Sequence, residues 1–75
     1  MTLDEAKLDA AVRILGMPSV DEDEKARLSA LGLRAGVMVT KIVPSPLQDP
    51  VECLVGSQLL ALERRLLRRI EVAPA

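Results

Sequence analysis

Two glycines four residues apart constrain this chain more than any other feature. The stretch Arg27 to Val43 reads RLSALGLRAGVMVTKIV. Gly32 falls just past Leu31, the expected last residue of a short helix, where positive φ lets the chain satisfy the final helical carbonyls. Gly36 follows after Arg34 and Ala35 and opens a run in which Val37, Val39 and Ile42 sit among Met38, Thr40 and Lys41. β-Branched residues restrict χ1 and favour an extended backbone, so this run predicts a strand. A helix is delivered directly into a sheet.

With 75 residues the chain makes one domain, residues 1–75. A chain of that size buries only roughly 60 to 65% of the surface its unfolded form exposes. Apolar residues make up 49% with no Phe, Tyr or Trp, so the core must be built from Leu, Val, Ile, Met and Ala. The missing aromatics disfavour base-stacking platforms, and a net charge of −1 removes the general attraction to phosphate, so nucleic acid is not expected as a partner. Cys53 is the only cysteine, which excludes an internal disulfide, and its place between Glu52 and Leu54 predicts a small buried hydrophobe. The first dozen residues carry Asp4, Glu5 and Asp9 and do not form a signal peptide. No apolar run approaches the ~20 residues that span a bilayer, so a soluble, cytoplasmic chain without membrane insertion is expected.

Taken in order, Thr2 to Lys7 offers a cap and one polar helical turn containing Leu3. Ala10 to Leu15 predicts the first strand, although Leu8, Ala11 and Leu15 also suit a helix starting at Asp4, and Gly16-Met17-Pro18 ends either element. Ser19 with Glu22, or Asp21 with Glu24, has capping-box spacing and starts a helix whose buried edge is Leu28 and Leu31. The acids Asp21, Glu22, Asp23 and Glu24 complement the positive helix end. Consecutive acids point in different directions and no histidine exists to join them, so no metal site is expected. Weak binding of a transition metal by carboxylates is the most this residue set allows, and no cofactor is expected.

Pro44 to Pro50 carries three prolines and predicts a hairpin loop with Leu47 folded back on the sheet. Val51, Cys53 and Val55 alternate with Glu52 and Leu54, the period-two pattern of a strand with one buried face. Gly56-Ser57 turns the chain into a strand over Gln58 to Leu62, followed by a turn of helix through Glu63 to Arg68. Arg69 to Val72 predicts the final strand and Ala73 to Ala75 a frayed tail. Five short strands with one inserted helix predict a mainly β fold, a small, strongly bent barrel, since closure removes exposed edges that no helix layer could cover. Gly32, Gly36 and Gly56 serve its sharp corners.

The ordered set Arg27-Leu28, Leu31-Gly32-Leu33-Arg34-Ala35-Gly36, Asp49-Pro50-Val51, Gly56, Leu60-Ala61-Leu62 and Ile70-Glu71-Val72 resembles the FeoA-like proteins, small cytoplasmic partners of a bacterial ferrous iron transporter. Glu63 stands where that family often has a basic residue, Leu66 and Leu67 fill small or polar positions, and Leu8-Asp9 stands near a usual proline-glycine pair. The resemblance implies an SH3-like barrel acting in iron uptake through a membrane GTPase permease, placed at the inner membrane face by that partner.

No nucleophile–base pair, phosphate loop or metal-ligand cluster is visible, so catalysis is not expected. Arg64, Arg65, Arg68 and Arg69 make a basic group that is either a solvated face or a contact to an acidic partner. Adjacent Leu66 and Leu67 point roughly 100° apart on a helical turn, so one of them is free for a partner. Arg64, Arg65, Leu66, Leu67 and Arg68 are therefore the candidate partner contacts. Two other readings use the same barrel: a stand-alone relative of the domain that ends metal-dependent transcriptional repressors, and a self-assembling module that forms a homo-oligomer through the leucine surface.

Overall fold

A computed structural model describes residues 1–44 and 48–75. A 3-10 turn, Leu3–Glu5, precedes strand β1 (Ala11–Gly16), helix α1 (Glu22–Ala30), β2 (Met38–Pro44), β3 (Val51–Val55), β4 (Gln58–Leu62), the short helix α2 (Arg64–Leu67) and β5 (Glu71–Pro74). The five strands form one antiparallel sheet in the order β4-β3-β2-β1-β5. The fold is mainly β with the SH3-like arrangement expected, but β4 and β5 do not pair, so hydrogen bonds do not close the sheet into a barrel. Leu47, expected to fold back on the sheet, lies outside the described residues.

Alternation decides which face is buried. Val12 and Ile14 of β1, Val51, Cys53 and Val55 of β3, and Leu62 and Val72 all turn inward and are at most 5% exposed. The helical segments fill the concave side with Leu3, Leu28, Leu33, Leu67 and Ile70. Fully burying each such leucine stabilises the fold by about 1.5–3 kcal/mol.

Asp21 rather than Ser19 caps α1, its Oδ1 accepting the Glu24 backbone N–H at 2.8 Å. At the other end Gly32, at φ +96°, donates to the Ser29 carbonyl and Leu33 donates to that of Leu28, each at 2.9 Å. This is the paired bonding of a glycine-terminated helix with its apolar contact between Leu28 and Leu33. Leu31, expected at the buried edge, is instead 48% exposed, because the terminating turn swings Leu33 into the core in its place.

The last strand is displaced from the expected Arg69–Val72. The Arg69 N–H bonds the Leu66 carbonyl and the Ile70 N–H that of Leu67, so helical turns hold the chain to Ile70 and β5 begins at Glu71. Ala73 and Pro74, expected to fray, pair with Arg13 and Val12 of β1.

Candidate functional site

The turn singled out in the sequence, Glu63 to Arg69, packs beside the C-terminal half of α1, and a groove of about 760 Å³ runs between them. Its apolar floor comes from Leu28, Ala30 and Leu31 on one side and Leu66 on the other. Its rim carries Glu24 and Arg27, joined at 3.4 Å, together with Glu63, Arg65 and Arg69. Among the described residues Arg65 and Arg69 take part in no ion pair, and both are exposed.

The five candidate contacts separate into different environments. Leu67 has no exposed surface and belongs to the core, whereas Leu66 is half-buried, packed against that core and open to the groove. Arg64 is tied inward: its Nη1 meets Asp4 Oδ1 at 3.0 Å, its Nε donates to the Gln48 carbonyl, and its backbone N–H donates to Asp49 Oδ1 at 3.0 Å. Arg68 Nε lies 3.5 Å from Asp4 Oδ2, so Asp4 joins the N-terminal turn to α2. Arg65 alone of the candidate arginines lines the groove, joined there by Arg69 and by the exposed Leu31. The expected turn glycines hold their corners: Gly36 at φ +92° lies within the turn closed by Val37 N–H to the Arg34 carbonyl, and Gly56 at φ +60° begins the β3–β4 hairpin.

Two functional-looking groups escaped sequence reasoning. Lys41 is 5% exposed and donates from Nζ to the Asp4 carbonyl at 2.9 Å. Period-two alternation places Lys41 on the same face as Val39, which was the available signal. An irregularity between Lys41 and Val43 then skips Ile42 and leaves Val43 exposed. Asp4 carried no such signal, since its partners lie 60 and 64 residues away. Lys41 also pairs in register with Cys53. Burial pushes the Cys53 thiol up to about 11, with the Lys41 cation pulling the other way. At the N-terminus, the Thr2 backbone N–H, 2.7 Å from Glu5 Oε1, and then the Thr2 hydroxyl hold the Glu5 carboxyl below its usual range. Among the described residues no group of three or more His, Cys, Asp or Glu side chains is placed to hold a metal ion. No described helix is long and apolar enough to cross a membrane.

A five-stranded sheet of this order, plugged by short helices, defines a small SH3-like domain. The chain belongs to the FeoA family: the FeoA domain model matches residues 1–74. Its fold superposes on FeoA from Chlorobium tepidum with a TM-score of 0.89 and 27% identity, covering 99% of this chain and 70% of that one. Iron(II) transport protein A from Clostridium thermocellum gives 0.86 and 25%, covering all of this chain but only 46% of that longer one. Zinc-complexed FeoA from Stenotrophomonas maltophilia, described as a prokaryotic SH3 domain protein and a candidate ferrous iron transport activating factor, gives 0.79 and 25%, covering 97% and 89%. No curated relative matches the chain.

Proposed function

We propose that this chain is an accessory protein of a bacterial ferrous iron uptake system and that it acts by docking on the cytoplasmic GTPase-bearing part of the membrane iron permease. The groove between α1 and α2 is the docking site. What carries this reading is the pairing of an apolar floor, Leu31 and Leu66, with the rim arginines Arg65 and Arg69, which have no ion-pair partner among the described residues. Interfaces are built on an apolar centre with a charged rim, and arginine is enriched at their energetic centres. The family supplies the iron transport system, and the basic rim favours an acidic, apolar segment of the partner.

The test is capture of the permease's cytoplasmic domain by purified wild type, Leu66→Asp and Arg65→Glu, with far-UV circular dichroism on each. Both variants are expected to stay folded and to bind at least about tenfold more weakly, the loss of ~1.4 kcal/mol that removal of a central interface contact readily produces. Normal capture by folded Leu66→Asp would overturn the site. Loss of self-association instead would make a second copy of the chain the groove's occupant.

A further inference from the structure

We propose that the edge of β4, unpaired among the described residues, is a second docking site, on which another copy of this chain adds its own β4 in antiparallel fashion about a two-fold axis at Leu60. The sheet has two edges, β4 and β5, and they are treated differently. The β5 edge is covered by the chain itself: Val72 N–H donates to the Met1 carbonyl at 2.8 Å, and Thr2 bridges Glu71. It also carries Glu71 and Pro74, residues that discourage pairing. The β4 edge, Gln58 to Leu62, has no charge and no proline, and its register against β3 is unbroken from Val55–Gln58 to Val51–Leu62.

Hydrogen-bond alternation fixes which groups are free among the described residues. Gly56 N–H donates to the Met38 carbonyl at 3.0 Å, which makes Val39 and Val55 a non-bonded pair and turns the Val55 backbone toward β4. Val55–Gln58, Cys53–Leu60 and Val51–Leu62 are then the bonded pairs, and the N–H and C=O groups of Leu59 and Ala61 point away from β3. On the outer face Leu59 is 62% exposed beside its cross-strand partner Leu54, at 36%.

An antiparallel copy centred on Leu60 sets Leu59 opposite Ala61 of that copy, so each such pair exchanges both of its free backbone bonds. It is the register that matches the whole strand, Gln58 opposite Leu62 included. No like charges meet, and the next residue, Glu63, faces Ser57 of the copy. One short strand pair buries less than the roughly 1,200 Å² of a stable specific interface. The dimer is accordingly weak and depends on concentration.

Sedimentation equilibrium of the full chain from micromolar to millimolar concentration tests this. The wild type should move from the monomer mass toward twice that mass. Ala61→Pro removes an outward donor without touching the ladder to β3, and Leu59→Lys installs a charge on an exposed edge position. Both should keep the wild-type circular dichroism and raise the dimer dissociation constant at least about tenfold, since each change acts twice by symmetry, the proline through a lost backbone donor and the lysine through a charge at the edge. Leu66→Asp should dimerise as the wild type does, since Leu66 lies on α2 and not on β4. If Ala61→Pro loses its fold, Leu59→Lys decides. A wild type that stays monomeric throughout, a Leu59→Lys variant that dimerises normally, or dimerisation abolished only by Leu66→Asp would overturn the proposal.

Discussion

Asp9 holds φ at +65° in the turn closed by Ala10 N–H to the Lys7 carbonyl. That is the third position of a turn whose preferred central residues are proline and then glycine. Leu8-Asp9 thus keeps the backbone of the proline-glycine pair while departing from it in residue type. The left-handed region costs a non-glycine residue roughly 1–2 kcal/mol, less for aspartate. Asp9→Val should therefore lower stability in a denaturant titration while Asp9→Gly leaves it nearly unchanged. Gly32 is stricter, because a Cβ there would meet Gln58 Nε2 at 3.3 Å as well as the +96° φ. Gly32→Val should cost at least ~1 kcal/mol, and an unchanged melting temperature would reject its role in ending α1. Cys53 gives a pH dependence with a definite sign. Its native thiol stays protonated to about 11, while an unfolded thiol ionises near about 8.5. The native state binds more protons between those values, so this contribution is intact below about pH 8.5 and is lost as pH rises, with a slope approaching 1.4 kcal/mol per unit. Cys53→Ala should flatten the alkaline limb of the stability profile; an identical limb in both proteins would contradict the burial assignment.

The short helix α2 shows how far local pattern reaches and where it stops. Periodicity places a helical turn at Glu63 to Arg68 and says that Leu66 and Leu67 diverge, but only the packing of the 3-10 turn against α2 decides that Leu67 goes inward. Leu67→Asp should unfold the domain by burying an unpaired charge, whereas Leu66→Asp should leave the circular dichroism intact. Asp4, 60 residues from Arg64, is invisible to any local rule, yet it bonds both Arg64 and Arg68. Asp4→Ala should cost roughly 1–3 kcal/mol, since it removes the carboxylate partner of a half-buried guanidinium that keeps, among the described residues, only its bond to the Gln48 carbonyl, and should loosen amide protection at Leu3–Glu5 and Arg64–Leu67 before the rest of the sheet. The strands β3 and β4 were legible because alternation and the Gly56 turn agree. The last strand was misplaced because two backbone bonds extend α2 through Ile70, a feature that the alternation of Arg69 to Val72 masks.

At the scale of the molecule, the glycines, the composition and the strand pattern suffice for a small, bent, mainly β fold, because the buried positions are nearly all aliphatic and Gly32, Gly36 and Gly56 mark corners; its SH3-like character came from the resemblance to the FeoA-like proteins. Closure was not legible, since it depends on the curl of β4 relative to β5 rather than on either strand alone. The groove was half legible: its α2 wall was marked by arginines around Leu66, while its α1 wall depends on Leu31 turning outward at the helix end. With no histidine and a buried thiol, the isolated chain should show no stoichiometric submicromolar site for ferrous iron or zinc in calorimetric titration, and such a site would overturn that expectation. The docking claim is tested most directly by recording amide chemical shifts of the labelled protein as the permease's cytoplasmic domain is added. Shifts concentrated at Arg27, Leu31, Arg65, Leu66 and Arg69 are predicted. Shifts confined to the second concavity, around Leu15, Met17 and Pro18, or no shifts at saturating permease domain, would contradict it.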